Sequence, residues 1–441
     1  MLICPKIDLM KYQAIKNDLF KANRAKFAAQ LKPNSIAILI SNPLVSKSAD
    51  ALYDFVQNPD FFYLTGVDQE ECAVLIFPDA PEEEFKEVLF VRKTNETIAI
   101  WEGKKLDKKE ATKRSGIKTV KWMENFHNYI PLLIHNCENI YLNTNEHGRK
   151  STAFPYGDLI FAQEIKKAYP LHNYKRTAPI LSKLRAVKST DEIASIQHAC
   201  NITGQAFERV CRFIKPGVKE YAIEAEIIHE FISNAANGHA YHPIIASGKN
   251  ACVLHYIDNN ETCMDGDLIL MDFGANYGNY ASDLTRTIPV NGKFNDRQKA
   301  VYNAVLKVMK AATDLLRPGE ILKEYSDKVG LLMEAELLDL GLLTKEDIEK
   351  QDSKSPAYKK YFMHGTSHHL GLDVHDVGSK YMPIEAGMVF TVEPGIYIPD
   401  ENLGVRIEND VVVQTDGPPK DLMAHIPIEV EEIEALMNQA S

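Results

Sequence analysis

Nowhere in the 441 residues do apolar residues run on for the roughly 18 positions a membrane span needs. The opening residues, MLICPKIDLMKYQAIK, carry charges at Lys6, Asp8 and Lys11. That spacing leaves no apolar stretch for a secretory signal, so a cytoplasmic location is expected. Cysteine is scarce: seven are scattered along the chain with no CxxC pair. This speaks against a disulfide scaffold or a thiolate zinc site, and for buried free thiols. Glycine (23) and proline (21) are too few for a low-complexity or collagenous chain. Basic residues are outnumbered, 50 against 61 acidic ones, giving a net charge of −11, and no basic stripe is visible. Neither nucleic acid nor an anionic membrane is therefore an expected partner. The chain has no GxGxxG, no GxxxxGK[ST] and no GxSxG, which removes the usual anchors for nucleotide and serine-hydrolase chemistry. His229-Glu230 is followed by Ser233 where HExxH needs histidine.

What is present is ordinary globular material, 45% apolar and 25% charged, long enough for two domains. The first part reads as an α/β domain. Strands are expected at 35–40 (SIAILI), 72–77 (CAVLIF), 87–91 (EVLFV) and 139–143 (NIYLN), with helices at 48–57 and 122–134, in a mostly parallel or mixed sheet. The charge-dense stretch from Glu82 to Arg114 reads as a solvated face. A boundary is expected in TAPILSKLRAVKS, giving domains 1–178 and 179–441. Beyond it, Ser189 and Glu192 have capping-box spacing. Ile193, Ile196, Ala199, Thr203, Phe207 and Val210 then follow a helical period that Pro216-Gly217 stops. The second part repeats itself approximately. Phe213–Gly217 and Leu315–Gly319 each end a helix in Pro-Gly, and each leads to a second helix (219–235, 321–338) and then to strands. Two such halves back to back make one α+β domain with a cleft between them.

Acids stand where burial is expected. Asp272 and Asp283 lie equidistant from the turn Asn276-Tyr277-Gly278-Asn279, so they are expected to face each other across a hairpin. Glu393 and Glu408 are placed in the same way about PDENLG. Inward-facing acids repel unless a base, a proton or a metal compensates them. Arg286 and Arg406 are the bases at hand. The run HGTSHHLGLDVHDVG, 364–378, adds four histidines. Four carboxylates and one imidazole suit two divalent ions, since four negative charges balance two dications. Oxygen-rich ligation favours manganese, with cobalt or zinc as alternatives.

VLHY (253–256), MDFGANYGNYASDLTRT (271–287), HGTSHHLGLDVHDVG (364–378), TVEPGIY (391–397) and VRIEND (405–410) together closely resemble the Xaa-Pro aminopeptidases, or aminopeptidases P, of the pita-bread metallopeptidases. The resemblance spans the chain. It implies an α/β N-terminal domain followed by a duplicated α+β pita-bread catalytic domain. It implies metal ligands Asp272, Asp283, His368, Glu393 and Glu408, with Asp283 and Glu408 bridging two ions. It places Glu393, His255, His364, His375 and Arg406 in catalysis, and His255, His375, Tyr397 and Arg406 at the substrate. Asp373 falls in a supporting role; His369 and His239 match no catalytic position. The implied substrates are peptides with proline second, and the implied assembly is a homo-oligomer, a dimer or tetramer, through an N-terminal domain in which Trp101 is a candidate lid or interface residue. Alternatives are a prolidase restricted to Xaa-Pro dipeptides and a non-catalytic metal-binding relative. Creatinase-like and methionine aminopeptidase readings fit the ligand set and domain layout less well.

Overall fold

The computed structural model describes residues 11–149, 155–352 and 355–439. Two compact units divide the chain, Met1–Arg185 and Ala186–Ser441.

The first unit is built on a six-stranded mixed sheet, ordered Thr119–Trp122, Glu87–Val91, Ala73–Ile76, Ser35–Ile40, Asn139–Leu142, Asn173–Arg176. Ser35–Ile40 lies inside the sheet, antiparallel to Ala73–Ile76 and parallel to Asn139–Leu142. Its unbroken apolar run is what a strand covered on both faces requires. Ile36, Ile38, Leu75, Phe90, Phe126 and Leu133 share one buried cluster with their neighbours. The helix Pro59–Thr65 starts where the Asn58 side chain accepts from the Asp60 and Phe61 amides, and it ends at Gly66, whose φ is 64°. Buried Asp60 pairs with buried Arg185 at 2.7 Å. The expected helix at 48–57 is absent. Ser46–Ser48 and Ala51–Leu52 instead form a small antiparallel hairpin turning through Ala49 (φ 47°). Leu52, Tyr53 and Val56 stay exposed, so a helix there would have had no buried face to stabilise it. The second expected helix is shorter than read: a 3₁₀ turn, Met123–Asn125, leads into Phe126–Ile134.

The second unit opens with the 24-residue helix Thr190–Phe213, capped reciprocally by Ser189 and Glu192. Its partner is Glu220–Ser233. The repeat follows as Asp296–Leu315 and Leu322–Asp339, and each pair packs together. Each half then contributes strands. In the first, Leu268–Phe273 runs between Ile244–Ser247 and Leu284–Pro289. In the second, Val389–Val392 pairs with Asn409–Val412, and Gly395–Ile398 with Leu403–Arg406. The halves meet where the Glu408 amide donates to the Thr285 carbonyl at 3.0 Å. Buried Arg286 stitches the same seam, donating to the carbonyls of Thr285, Glu408 and Pro427 and to Asn409 Oδ1. Among the described residues, no helix is long and apolar enough to cross a membrane. The six described cysteines are free, and all but Cys252 are buried.

Candidate metal centre and active site

Strand register decides which acids converge. Asp272 pairs with Thr285, not with Asp283. The hairpin turns through Gly278 and Asn279, both with positive φ (59° and 69°), one residue later than the sequence suggested. Asp283 is thereby displaced two positions along the partner strand, which keeps it on the same face. The two carboxylates still meet: the Tyr241 hydroxyl reaches Asp272 Oδ1 at 2.6 Å and Asp283 Oδ1 at 2.5 Å. The second pair keeps the expected register. Thr391 pairs with Asp410 and Gly395 with Arg406, which sets Glu393 opposite Glu408 in the gap between the two ladders.

His368 completes the cluster. Its Nδ1 lies 3.0 Å from the His369 carbonyl, which takes a proton held there and leaves the Nε2 lone pair facing the acids. Nε2 is 3.4 Å from Asp283 Oδ2 and 3.6 Å from Glu393 Oε1. One donor atom each from Asp283, His368 and Glu408 lies within 4.8 Å of the others, and all three residues are buried. Thr285 Oγ1 donates to Glu408 Oε2 at 2.6 Å, and Arg406 Nη2 to Asp272 Oδ2 at 2.6 Å. Burial pushes the Asp283 carboxyl well above its ordinary range, and the neighbouring Asp272 adds to this. Burial and then Asp283 do the same to Glu408. Glu393 is pushed up to about 7 by burial, with Asp283 raising it further against the lowering pull of His368. Ionised together, acids held this way would destabilise a metal-free cleft, and they are good oxygen ligands for a hard dication; the donor set fits divalent metal.

The remaining expected residues line the same cleft of about 300 Å³, which contains His255, His364, His375, Arg406 and all five expected ligands. The His375 ring stands edge-on to that of His368, centroids 4.3 Å apart. Arg406 Nη1 donates to the Tyr397 hydroxyl at 2.9 Å, and that hydroxyl lies 2.7 Å from His364 Nε2. His364 Nδ1 is 2.8 Å from the Gly365 carbonyl, so a proton there leaves Nε2 to accept from Tyr397. Burial, with Arg406 beside it, lowers His364 to about 4, consistent with a neutral ring. Tyr397 lies behind this chain, fully buried. His369 stacks on Phe390 and His239 meets Phe231 edge-on. Trp101 is 83% exposed on the short helix Glu96–Glu102 of the first unit. Tyr241 and Thr285 were not legible as site residues. A lone tyrosine or threonine has no spacing signature, and their carboxylate partners lie 31 to 123 residues away.

Comparison with known proteins decides the family. Residues 194–415 match the model of metallopeptidase family M24, and residues 20–141 that of the aminopeptidase P N-terminal domain. The chain belongs to the Xaa-Pro aminopeptidases of metallopeptidase family M24. It is 36% identical to the Xaa-Pro aminopeptidase of Escherichia coli K12, over 96% of this chain and 98% of that one. It is 35% identical to the Xaa-Pro aminopeptidase of Haemophilus influenzae, over 98% and 100%. The structure of zinc-substituted E. coli aminopeptidase P in complex with product superposes with a TM-score of 0.85 at 33% identity, covering 96% of this chain and 99% of that one. The chain is thus a metal-dependent aminopeptidase, a hydrolase with an aminopeptidase P N-terminal domain and a pita-bread catalytic domain.

Proposed function

We propose that this aminopeptidase hydrolyses the bond between the N-terminal residue and a following proline, in peptides longer than two residues, with two divalent ions, manganese foremost, held by Asp272, Asp283, His368, Glu393 and Glu408. The observation that carries this reading is the convergence of buried Asp283, His368 and Glu408 within 4.8 Å, inside a cleft that also holds His255, His364 and His375. When bound, a divalent pair supplies Lewis acidity and an acidified water. The chain's own residues do the rest. Glu393, whose side chain is 20% exposed, accepts the proton of the attacking water. The water oxygen adds to the carbonyl carbon of the first residue, and N–H donors on His255 or His375 meet the developing oxyanion. The C–N bond then breaks, and the proton passes to the proline nitrogen. Arg406, Tyr397 and neutral His364 form a donor chain that fixes the orientation of the cleft wall. The scissile nitrogen carries no hydrogen, so the proline ring is read by shape. Ile244, Leu254, Ile257 and Val374 supply apolar lining for that. The substrate's α-amino group is drawn by the acids, which makes the enzyme an exopeptidase. Self-association into a dimer or tetramer and a cytoplasmic location complete the proposal; free buried thiols support the latter.

The test offers manganese-loaded protein an Xaa-Pro dipeptide and an Xaa-Pro-Yaa tripeptide in separate reactions, with products read by mass spectrometry. Release of Xaa from the tripeptide is expected. Cleavage confined to the dipeptide would make the enzyme a prolidase.

A further inference from the structure

His255 stands on a segment with little else to hold it. Val253, His255, Ile257, Asp258 and Asn260 are exposed, and between Val253 and Asn260 only Tyr256 and Asn259 are buried. Those two are tied down from outside the segment. The Asn259 side chain accepts from the Ile245 amide at 2.9 Å and donates to Glu224 and the Pro243 carbonyl. The Tyr256 hydroxyl donates to Glu220 Oε2 at 2.8 Å, and the residue shares a buried apolar cluster with Ile244, Leu270 and Tyr397.

Glu220 is the first residue of its helix, where an acid usually faces the helix's own free amides. Here its carboxylate is turned away from them and fully buried. Oε1 accepts from the amide and hydroxyl of Ser247, at 2.8 and 2.6 Å. Oε2 accepts from Tyr256 and from the Glu261 amide, at 2.8 and 2.9 Å. The backbone closes the same corner, with the Glu220 amide donating to the Glu261 carbonyl at 3.0 Å. A buried carboxylate is tolerable only when its lone pairs are filled, and four neutral donors fill this one. Those donors come from the end of the Ile244–Ser247 strand, from the residue after His255, and from the far end of the same loop. The carboxylate therefore joins three segments at one point, one of them the residue that follows His255.

We propose that Glu220, acting through Tyr256, is a positioning residue for His255, holding the 253–261 loop at the height the substrate requires; this rests on the reading of His255 as a substrate-facing group. Misplacement of a reacting group by an ångström can cost about 100-fold in rate. Tyr256→Phe removes one bond of the clamp and leaves the ring's packing intact. It is expected to lower kcat about tenfold with metal content at the wild-type value, while the melting temperature falls by only a few degrees for the one donor lost. In the His255→Ala background the same change is expected to cost less than about twofold, because its target is gone. Glu220→Gln, which exchanges an acceptor for a donor, follows the same pattern more severely. Equal losses in both backgrounds, or no loss in the single variant, would overturn the proposal. Ring-labelled histidine spectra, with the His255 signal assigned through His255→Ala, provide an arm independent of activity. Tyr256→Phe should shift or broaden that signal, and an unmoved signal overturns the clamp. A wild-type enzyme that releases nothing from proline peptides refutes the proposed substrate instead, and the spectra still decide the clamp.

Discussion

Glu393 and Asp283 face opposite demands in the presence and absence of metal. With no dication, burial and mutual repulsion favour protons on them; as ligands they must be ionised. The sign of the resulting pH effect is fixed. Glu393 titrates at about 7 in the folded chain against an ordinary value of 4.5, so between those values the folded state holds a proton that the unfolded chain has lost. Stability from this source is complete below about 4.5 and disappears as pH rises through 7. Metal-stripped protein should therefore lose stability as pH rises from about 4.5 through 7, in urea unfolding at matched ionic strength. A flat or rising profile would show that these acids are not desolvated as the structure has them. Asp283→Ala tests the ligand assignment more directly. It should lower activity more than about 100-fold and remove bound metal measured by elemental analysis. Full metal content in that variant would reassign the site. The four acids among the five expected ligands stood out because carboxylates placed about a turn are rare inside apolar strands, whereas His368 was set apart from its neighbouring histidines only by the family resemblance. Tyr241, which touches two of those acids, did not stand out, because nothing in GHAYHPII distinguishes its hydroxyl from that of any half-buried tyrosine.

At the scale of elements, hairpin register carries the site, and a glycine sets it. Phe273 pairs with Leu284 and Asn276 with Ala281, which places Gly274 opposite Asp283. A Cβ on Gly274 would lie 1.7 Å from the Ser282 carbonyl oxygen, so the strands approach there as only glycine allows. Gly274→Ala should cost about 1–3 kcal/mol in unfolding and weaken metal binding as well, because the strand that must move carries Asp283. Loss of stability with unchanged metal affinity would separate the turn from the site. A second element, the histidine-rich run, is braced from below: Lys188 Nζ lies 3.0 Å from Asp376 Oδ2, with both side chains 1% exposed. Lys188→Met leaves that carboxylate buried without its cation and should destabilise by about 3–5 kcal/mol in denaturant titration. A cost below about 1 kcal/mol would mean that Asp376 is satisfied by other groups. Sequence pattern found the four long helices of the second unit and four buried strands of the first, since caps and apolar periods are local signals, but of the first unit's helices it found only Phe126–Ile134 and passed over Asn17–Ala28 and Gly157–Ala168. It misplaced the Asp272 hairpin by one residue because Tyr-Gly-Asn can turn at either position. It also passed over Thr119–Trp122 and Asn173–Arg176, half-exposed edge strands whose lysines and polar residues blur the alternation.

Across the whole molecule, the compact units part at Arg185/Ala186, a few residues beyond the boundary at 178/179 read from the sequence. Each has its own buried core, and all five expected ligands lie after Arg185. A ligand stabilises only the cooperative body that binds it, by about 2.7 kcal/mol at a concentration about 100 times its Kd. For a unit of this size that is an upward shift of about 5–10 °C in its melting. Calorimetry of the full chain should therefore show two components, of which manganese raises one and chelator lowers the same one, while the other stays in place. The component that moves should be lost from the manganese response in Asp283→Ala, which ties the shift to the cluster rather than to weak metal binding on a chain carrying 61 acidic residues. If both components move together, the units unfold as one body. If neither moves, the buried acids of the cleft do not hold manganese, and the metal would have to be sought by the same scan with cobalt and zinc.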